Sequence, residues 1–169
     1  SLVENIGNYI NNYTIGEECY ISNVSTMETT EGATYGEGNL ISVLNEVGEG
    51  NITLFGGLNS QLAAFMVKHN ADRELRERLR QMIGEELKRT LPERGTIGFG
   101  VKIVNTREVV NTIVQDNCEV NGAARLFDCS LLSVAGTGVY VGSGVICENS
   151  IVADGSSITN DCNLQDCFV

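Results

Sequence analysis

This 169-residue chain has one histidine, one proline, three methionines and no tryptophan. A lone imidazole cannot build a multi-histidine metal centre. One proline beside nineteen glycines excludes proline-rich linkers and points to tight, glycine-made turns. No stretch approaches the ~20 apolar residues of a membrane span, and no signal-peptide core opens the chain. Positive charge is also scarce, with eleven Lys and Arg against twenty-two Asp and Glu. Eight of the eleven lie within residues 68–94, leaving Lys102, Arg107 and Arg125 among sixteen acids elsewhere. A phosphate backbone needs a basic footprint, so nucleic-acid binding is excluded for most of the chain. The six cysteines (19, 118, 129, 147, 162 and 167) form no CxxC pair, which argues against structural zinc. A chain long enough to bury a full core needs no disulfide staples, so reduced, mostly buried thiols in a cytoplasmic protein are expected.

What the chain does have is a beat of six. Val3, Tyr9, Ile15, Ile21, Met27 and Ala33 form one run, and Tyr35, Ile41, Val47 and Thr53 the next. Ile97, Ile103 and Val109 follow a gap, then Val114, Val120, Leu126 and Leu132. Val134, Tyr140, Ile146, Val152, Ile158 and Leu164 close the series. "YGEGNLI" (35–41) and "VGEGNIT" (47–53) repeat at twice the interval. Sandwich strands recur every 8–12 residues, so a period of six favours a solenoid of short strands. In the last run a small residue precedes each large one by two positions, as when one strand turns both inward. A slip of one residue would exchange the faces, since Val145 and Ile151 are also apolar.

These hexads resemble those of hexapeptide-repeat proteins of the left-handed parallel β-helix class. "IGEEC" (15–19) and "IGFGV" (97–101) fit that signature, and "VGSGV" (141–145) fits it one residue out of frame. The resemblance implies a mainly β fold, a single-stranded left-handed parallel β-helix with three hexads per coil. Val134 is then expected to stack on Val152, Tyr140 on Ile158, and Ile146 on Leu164. Coils are expected over residues 1–55 and 95–169 as one solenoid. Asn39, Asn45, Asn51 and Asn163 depart from the family's small aliphatics and suit stacked turns. Ser1 replaces an initiating methionine and Val169 stops on a hexad, so a piece of a longer protein is expected.

Residues 56–94 break the beat and read as an inserted α-helical pair. Asn59 or Ser60 offers a cap ahead of Leu62, Phe65 and Met66 on one face. Leu75, Leu79, Met82, Ile83 and Leu87 share a face of the second helix, which Pro92 and Gly95 close. Such a pair covers an outer face of the solenoid or meets a partner subunit.

Few residues offer chemistry. Carbonic anhydrases of this class need three histidines, which the chain lacks. Acyltransferases of the class use a histidine as general base, and His69 on the first inserted helix is the one available. A phosphate or carboxylate ligand would need Lys102, Arg107 or Arg125, unless these balance acids such as Glu108 and Asp128. Cys129 and Cys147, eighteen residues apart, suit packing on successive coils. "GTGVYVG" (136–142) is not GxGxxG, and no P-loop or other cofactor motif is present. "RGTIGFGVKIVNTREV" (94–109) also resembles a family of larger bacterial hexapeptide-repeat proteins related to sugar-phosphate nucleotidyltransferases and acyltransferases. The resemblance therefore implies a transferase-like domain taking a nucleotide-sugar or acyl-CoA, and a homo-oligomer such as a trimer. The alternative is a non-catalytic scaffold or oligomerisation module whose catalytic region lies elsewhere.

Overall fold

A computed structural model describes residues 1–42 and 51–169. The expected interior Val47 and turn residue Asn45 lie outside the described residues. In chain order the elements are β1 (Leu2–Asn11), β2 (Tyr13–Ile15), β3 (Tyr20–Glu28), β4 (Leu40–Ser42), β5 (Asn51–Thr53), α1 (Ser60–Lys68) and α2 (Arg73–Thr90). There follow β6 (Gly95–Ile97), β7 (Lys102–Val104), β8 (Glu108–Val114), β9 (Glu119–Asn121), β10 (Arg125–Leu131) and β11 (Tyr140–Val141). The last are β12 (Ile146–Glu148), β13 (Ile151–Val152), β14 (Ser157–Ile158) and β15 (Asn163–Gln165).

Among the described residues, thirteen strands form one all-parallel, strongly curled sheet, a parallel β-helix-like arrangement. Its pairs run in three ladders. The first is β1–β3–β7–β9–β11–β14, and the second β1–β3–β8–β10–β12–β15. The third is β2–β6–β8–β10–β13. β3, β8 and β10 serve two ladders each because they bend at Asn23, Asn111 and Asp128, all with left-handed φ. Asn and Asp tolerate that conformation better than other side chains, which explains their recurrence at the bends. Asn23 Nδ2 donates to Asn105 Oδ1 at 2.8 Å, so the asparagines stacked at this corner are not the expected ones. Of those, Asn51 pairs with Ser42 in β4–β5.

The beat fills the interior as it predicts through the middle of the chain. Ile21, Ile103 and Val120 stack in one ladder, and Met27, Val109 and Leu126 in the next, all fully buried. Close approach of backbones sets the glycine of "IGEEC": a Cβ on Gly16 would stand 2.8 Å from the Gly98 carbonyl. In the final run, Val152, Ile158 and Leu164 lie inside as expected, whereas the three positions before them are displaced by one residue. Val134 is 59% exposed and Tyr140 38%, while Val141, Val145 and Cys147 lie inside. The observed stacks are Leu131 on Val152, Val141 on Ile158, and Cys147 on Leu164. The cause is the five-residue step from Cys147 to Val152, which copies the step from Leu126 to Leu131 on the neighbouring strand. The frame carried by "VGSGV" is the correct one. Tyr9 likewise faces out and Ile10 takes its place over Met27.

The parallel ladders part at Glu28 and resume at Gly95. Coils are expected to reach residue 55, but Leu40–Ser42 and Asn51–Thr53 form the antiparallel pair β4–β5 instead. This pair and both helices build a second apolar cluster of Ile52, Leu54, Leu58, Met66 and Ile83. Ile151, Leu132 and Phe168 join it from the outer side of the third ladder. The helical pair thus covers an outer face of the sheet. Asn59 and Asp72 cap α1 and α2 by accepting from the Leu62 and Leu75 amides.

Six free cysteines include four buried ones. Cys129 Sγ and Cys147 Sγ touch at 3.4 Å, and that contact and burial push the Cys147 thiol far up. No helix of the described residues is long and apolar enough to cross a membrane.

Candidate functional site

The bends of β8 and β10 do more than turn the sheet. Asn111 Oδ1 accepts from the Thr30 amide at 2.8 Å. Asp128 accepts from the Tyr35 amide at 2.6 Å and the Thr34 hydroxyl at 2.7 Å. Residues 30–38 are held across the corner as a strap. Gly36 has φ +78°, and a Cβ there would stand 2.8 Å from the carbonyl oxygens of Asp128 and Ser150, so only glycine passes. Buried Tyr35 donates its hydroxyl to the Pro92 carbonyl at 3.0 Å, and Ser130 Oγ donates to the Tyr35 carbonyl at 2.8 Å. The strap is fixed to both the sheet and the segment leaving α2.

Glu37 follows directly and projects into a cleft of about 480 Å³ between the inserted segment and the third ladder. Phe55, Gly56 and Leu87 line it from the insertion, with Ile113, Gln115 and Ser130 from the sheet. The size falls within the ~300–1,000 Å³ usual for ligand sites. Glu37 Oε2 accepts from the Gly56 amide at 2.8 Å. Burial nevertheless raises the carboxyl above the ordinary glutamate range, opposed by that amide and by the Ser130 hydroxyl. Burial thus raises the proton affinity of this carboxyl, the direction that favours a proton acceptor. Glu86, from α2, also lines the cleft and pairs with Arg89 at 2.7 Å. No Lys, Arg or His is among its described lining residues.

The residues singled out from sequence are not brought together. Lys102, on β7, pairs with Glu119 at 2.9 Å. Arg125, on β10, pairs with Glu148 at 2.9 Å and Glu108 at 3.3 Å, and its guanidinium lies 4.6 Å from the Phe127 ring centroid. Both join neighbouring strands of the sheet. Arg107 is exposed just before β8. His69 caps the end of α1, its ring tilted 42° against Phe65 with centroids 4.5 Å apart, and lines a separate small pocket. Asp128 pairs with none of these cations among the described residues and holds the strap instead.

Glu37 was not visible as a site from sequence, because "YGEG" drew attention for its spacing. The available signal was a glutamate between two glycines within an apolar run. Its proximity to Gly56 and Ser130 arises only from folding.

None of the curated proteins and none of the solved structures compared with the chain matches it. A family profile does match, over residues 1–169, and the chain belongs to that family, described as Domain of unknown function (DUF4954).

Proposed function

We propose that this chain is a transferase-like domain whose cleft holds a hydroxyl- or amine-bearing acceptor, with Glu37 as the group that takes its proton. The observation that carries this reading is a carboxyl with raised proton affinity, aimed into a ligand-sized cleft. The same reading treats the curled sheet as a left-handed hexapeptide-repeat β-helix, supported by the ladder steps of five and six residues. Charge narrows the ligand. Glu86 is already paired with Arg89, but a nucleotide-sugar diphosphate would still meet Glu37 with no lining cation, whereas a neutral or cationic acceptor would not be repelled. The acceptor oxygen or nitrogen then attacks the thioester carbonyl of an acyl-CoA entering from the open side. The C–S bond breaks, and the proton taken by Glu37 leaves with the free thiol. Assembly into a homo-oligomer such as a trimer belongs to this reading.

One observation favours the scaffold reading. Lys102 and Arg125, the cations suited to an anionic ligand, are engaged in strand-to-strand pairs. A thermal-shift screen against amino sugars, neutral sugars, acyl-CoAs and nucleotide sugars separates the two. The transferase reading expects stabilisation by a sugar or amino sugar that disappears in Glu37→Gln. Silence across the panel, or a shift that survives Glu37→Gln, refutes it in favour of the scaffold.

A further inference from the structure

We infer that the corner between α1 and α2 is a binding site for a phosphate-type oxyanion, held by Arg76 and Arg80 beside His69. This corner is distinct from the Glu37 cleft, and nothing in the acceptor reading uses it. Its pocket is lined by Asn51, Thr53, His69, Asn70, Arg76 and Arg80 over an apolar floor.

The first argument is an unmet donor. Arg76 Nη1 donates to the Asn70 carbonyl at 3.1 Å, fixing the guanidinium at the corner. Its Nε is shielded from solvent and has no hydrogen-bond partner among the described residues. A buried charged donor without an acceptor is costly, so an acceptor belongs there. The other shielded guanidinium nitrogen, Arg125 Nε, already faces Glu108 at 3.3 Å, whereas Arg76 forms no ion pair among the described residues.

The second argument is local charge. Arg76 and Arg80 stand one turn apart on one face of α2, an arrangement that repels in the absence of an anion. Glu77 reaches Arg80 at 3.4 Å, and Asp72 is occupied capping the Leu75 amide. The negative end of α1 and the positive end of α2 meet here and oppose each other, leaving the guanidinium groups to decide the sign. In a chain of net charge −11, Arg76 is thus a cation with no ion-pair partner among the described residues.

The third argument is size. The enclosed part of the pocket holds about 10 Å³, room for roughly one water or one oxygen atom. One oxygen of the anion enters to meet Arg76 Nε, while its remaining oxygens lie in the mouth near Arg80 and His69. A doubly charged phosphate matches two guanidinium groups better than a carboxylate does.

Because His69 is the sole histidine, its imidazole gives one resonance set in NMR and reports on this pocket without ambiguity. The test is a titration of the whole chain with inorganic phosphate, at fixed pH and ionic strength, with methyl phosphate as a second arm. A saturable His69 shift is expected, with the midpoint raised at least about tenfold in Arg76→Gln by loss of a charge-assisted hydrogen bond. Arg80→Gln, which keeps the Asn70 anchor, is expected to weaken binding less, and Glu37→Gln and Lys102→Gln to leave it unchanged. Saturation by methyl phosphate as well identifies the phosphoryl group as the ligand; saturation by inorganic phosphate alone identifies the free ion. A shift that rises linearly without saturating, or saturates equally in both arginine variants, overturns the site and leaves a water at Arg76. Since Glu37 is not involved, this site and the acceptor cleft can fail separately.

Discussion

The curled sheet and the segment between Glu28 and Gly95 bury comparable apolar side chains, but they are organised by opposite rules. In the sheet each strand meets a near copy of itself further along the chain, as Val109 meets Leu126 seventeen positions on. Stability there is a sum of like neighbour-to-neighbour contacts, the usual solenoid arrangement. The inserted segment has no period. It makes its own cluster around Leu54 and Ile83, then depends on individual ties, with Asn111 and Asp128 gripping the strap and Tyr35 reaching Pro92. The contrast assigns labour. Regular ladders supply a rigid wall and evenly placed polar corners, while the irregular segment brings Glu37 against that wall. Both the acceptor cleft and the Arg76 corner depend on the insertion.

The comparison breaks most visibly at the sheet interior. Leu126→Ala is expected to cost about 2–5 kcal/mol, since it opens a cavity between Val109 and Cys147 on the neighbouring strands. Denaturant unfolding checks this, and the loss should appear as one global transition. Gly36→Ala comes next, at about 1–3 kcal/mol, because it adds a side chain at positive φ against two carbonyl oxygens. Hydrogen exchange should then rise in residues 30–38 while the ladder amides of β8 and β10 stay protected. If protection falls throughout, the two regions are one cooperative unit and the division of labour is wrong.

Glu37→Gln is expected to act in the other direction. The folded carboxyl holds its proton more tightly than the unfolded chain does, so its stabilising contribution is present below the ordinary glutamate range. It is lost as pH rises through the folded value. The substitution should therefore stabilise the protein near pH 7 by up to about 1 kcal/mol, discounted for partial solvent access, and give no gain near pH 4. Paired melting curves at the two pH values measure it. Lys102→Gln should change stability least, by about 0.5 kcal/mol or less, because the Lys102–Glu119 pair is half exposed. If it abolished ligand binding instead, the sheet surface and not the cleft would carry the chemistry.

Much of the fold was legible because packing imposes it residue by residue. Ile21, Ile103, Val120 and Leu126 sit inside where the beat put them. The five-residue step across each bend was not legible as a rule, and its occurrence between Cys147 and Val152 moved the interior positions from Tyr140 and Ile146 to Val141 and Cys147. Residues 35–41 kept the beat yet left the sheet, since a strand-like pattern does not say which partner it pairs with. The cleft was hidden for a different reason. Glu37 becomes unusual through its distance to Gly56 and its burial beside Ser130, quantities that exist only after the strap is tied down. Conversely, Lys102 and Arg125 stood out by rarity, and their acidic partners on adjacent strands made them ordinary.

The account turns on the protonation of one side chain. Carbon-13 NMR of the glutamate carboxyls, with Glu37 assigned by its disappearance in Glu37→Gln, would follow it directly through an acid titration. The predicted result is a midpoint clearly above that of an exposed glutamate. A midpoint at or below the ordinary value would show a solvated or fully paired carboxylate, and the proposed proton-accepting role would be contradicted.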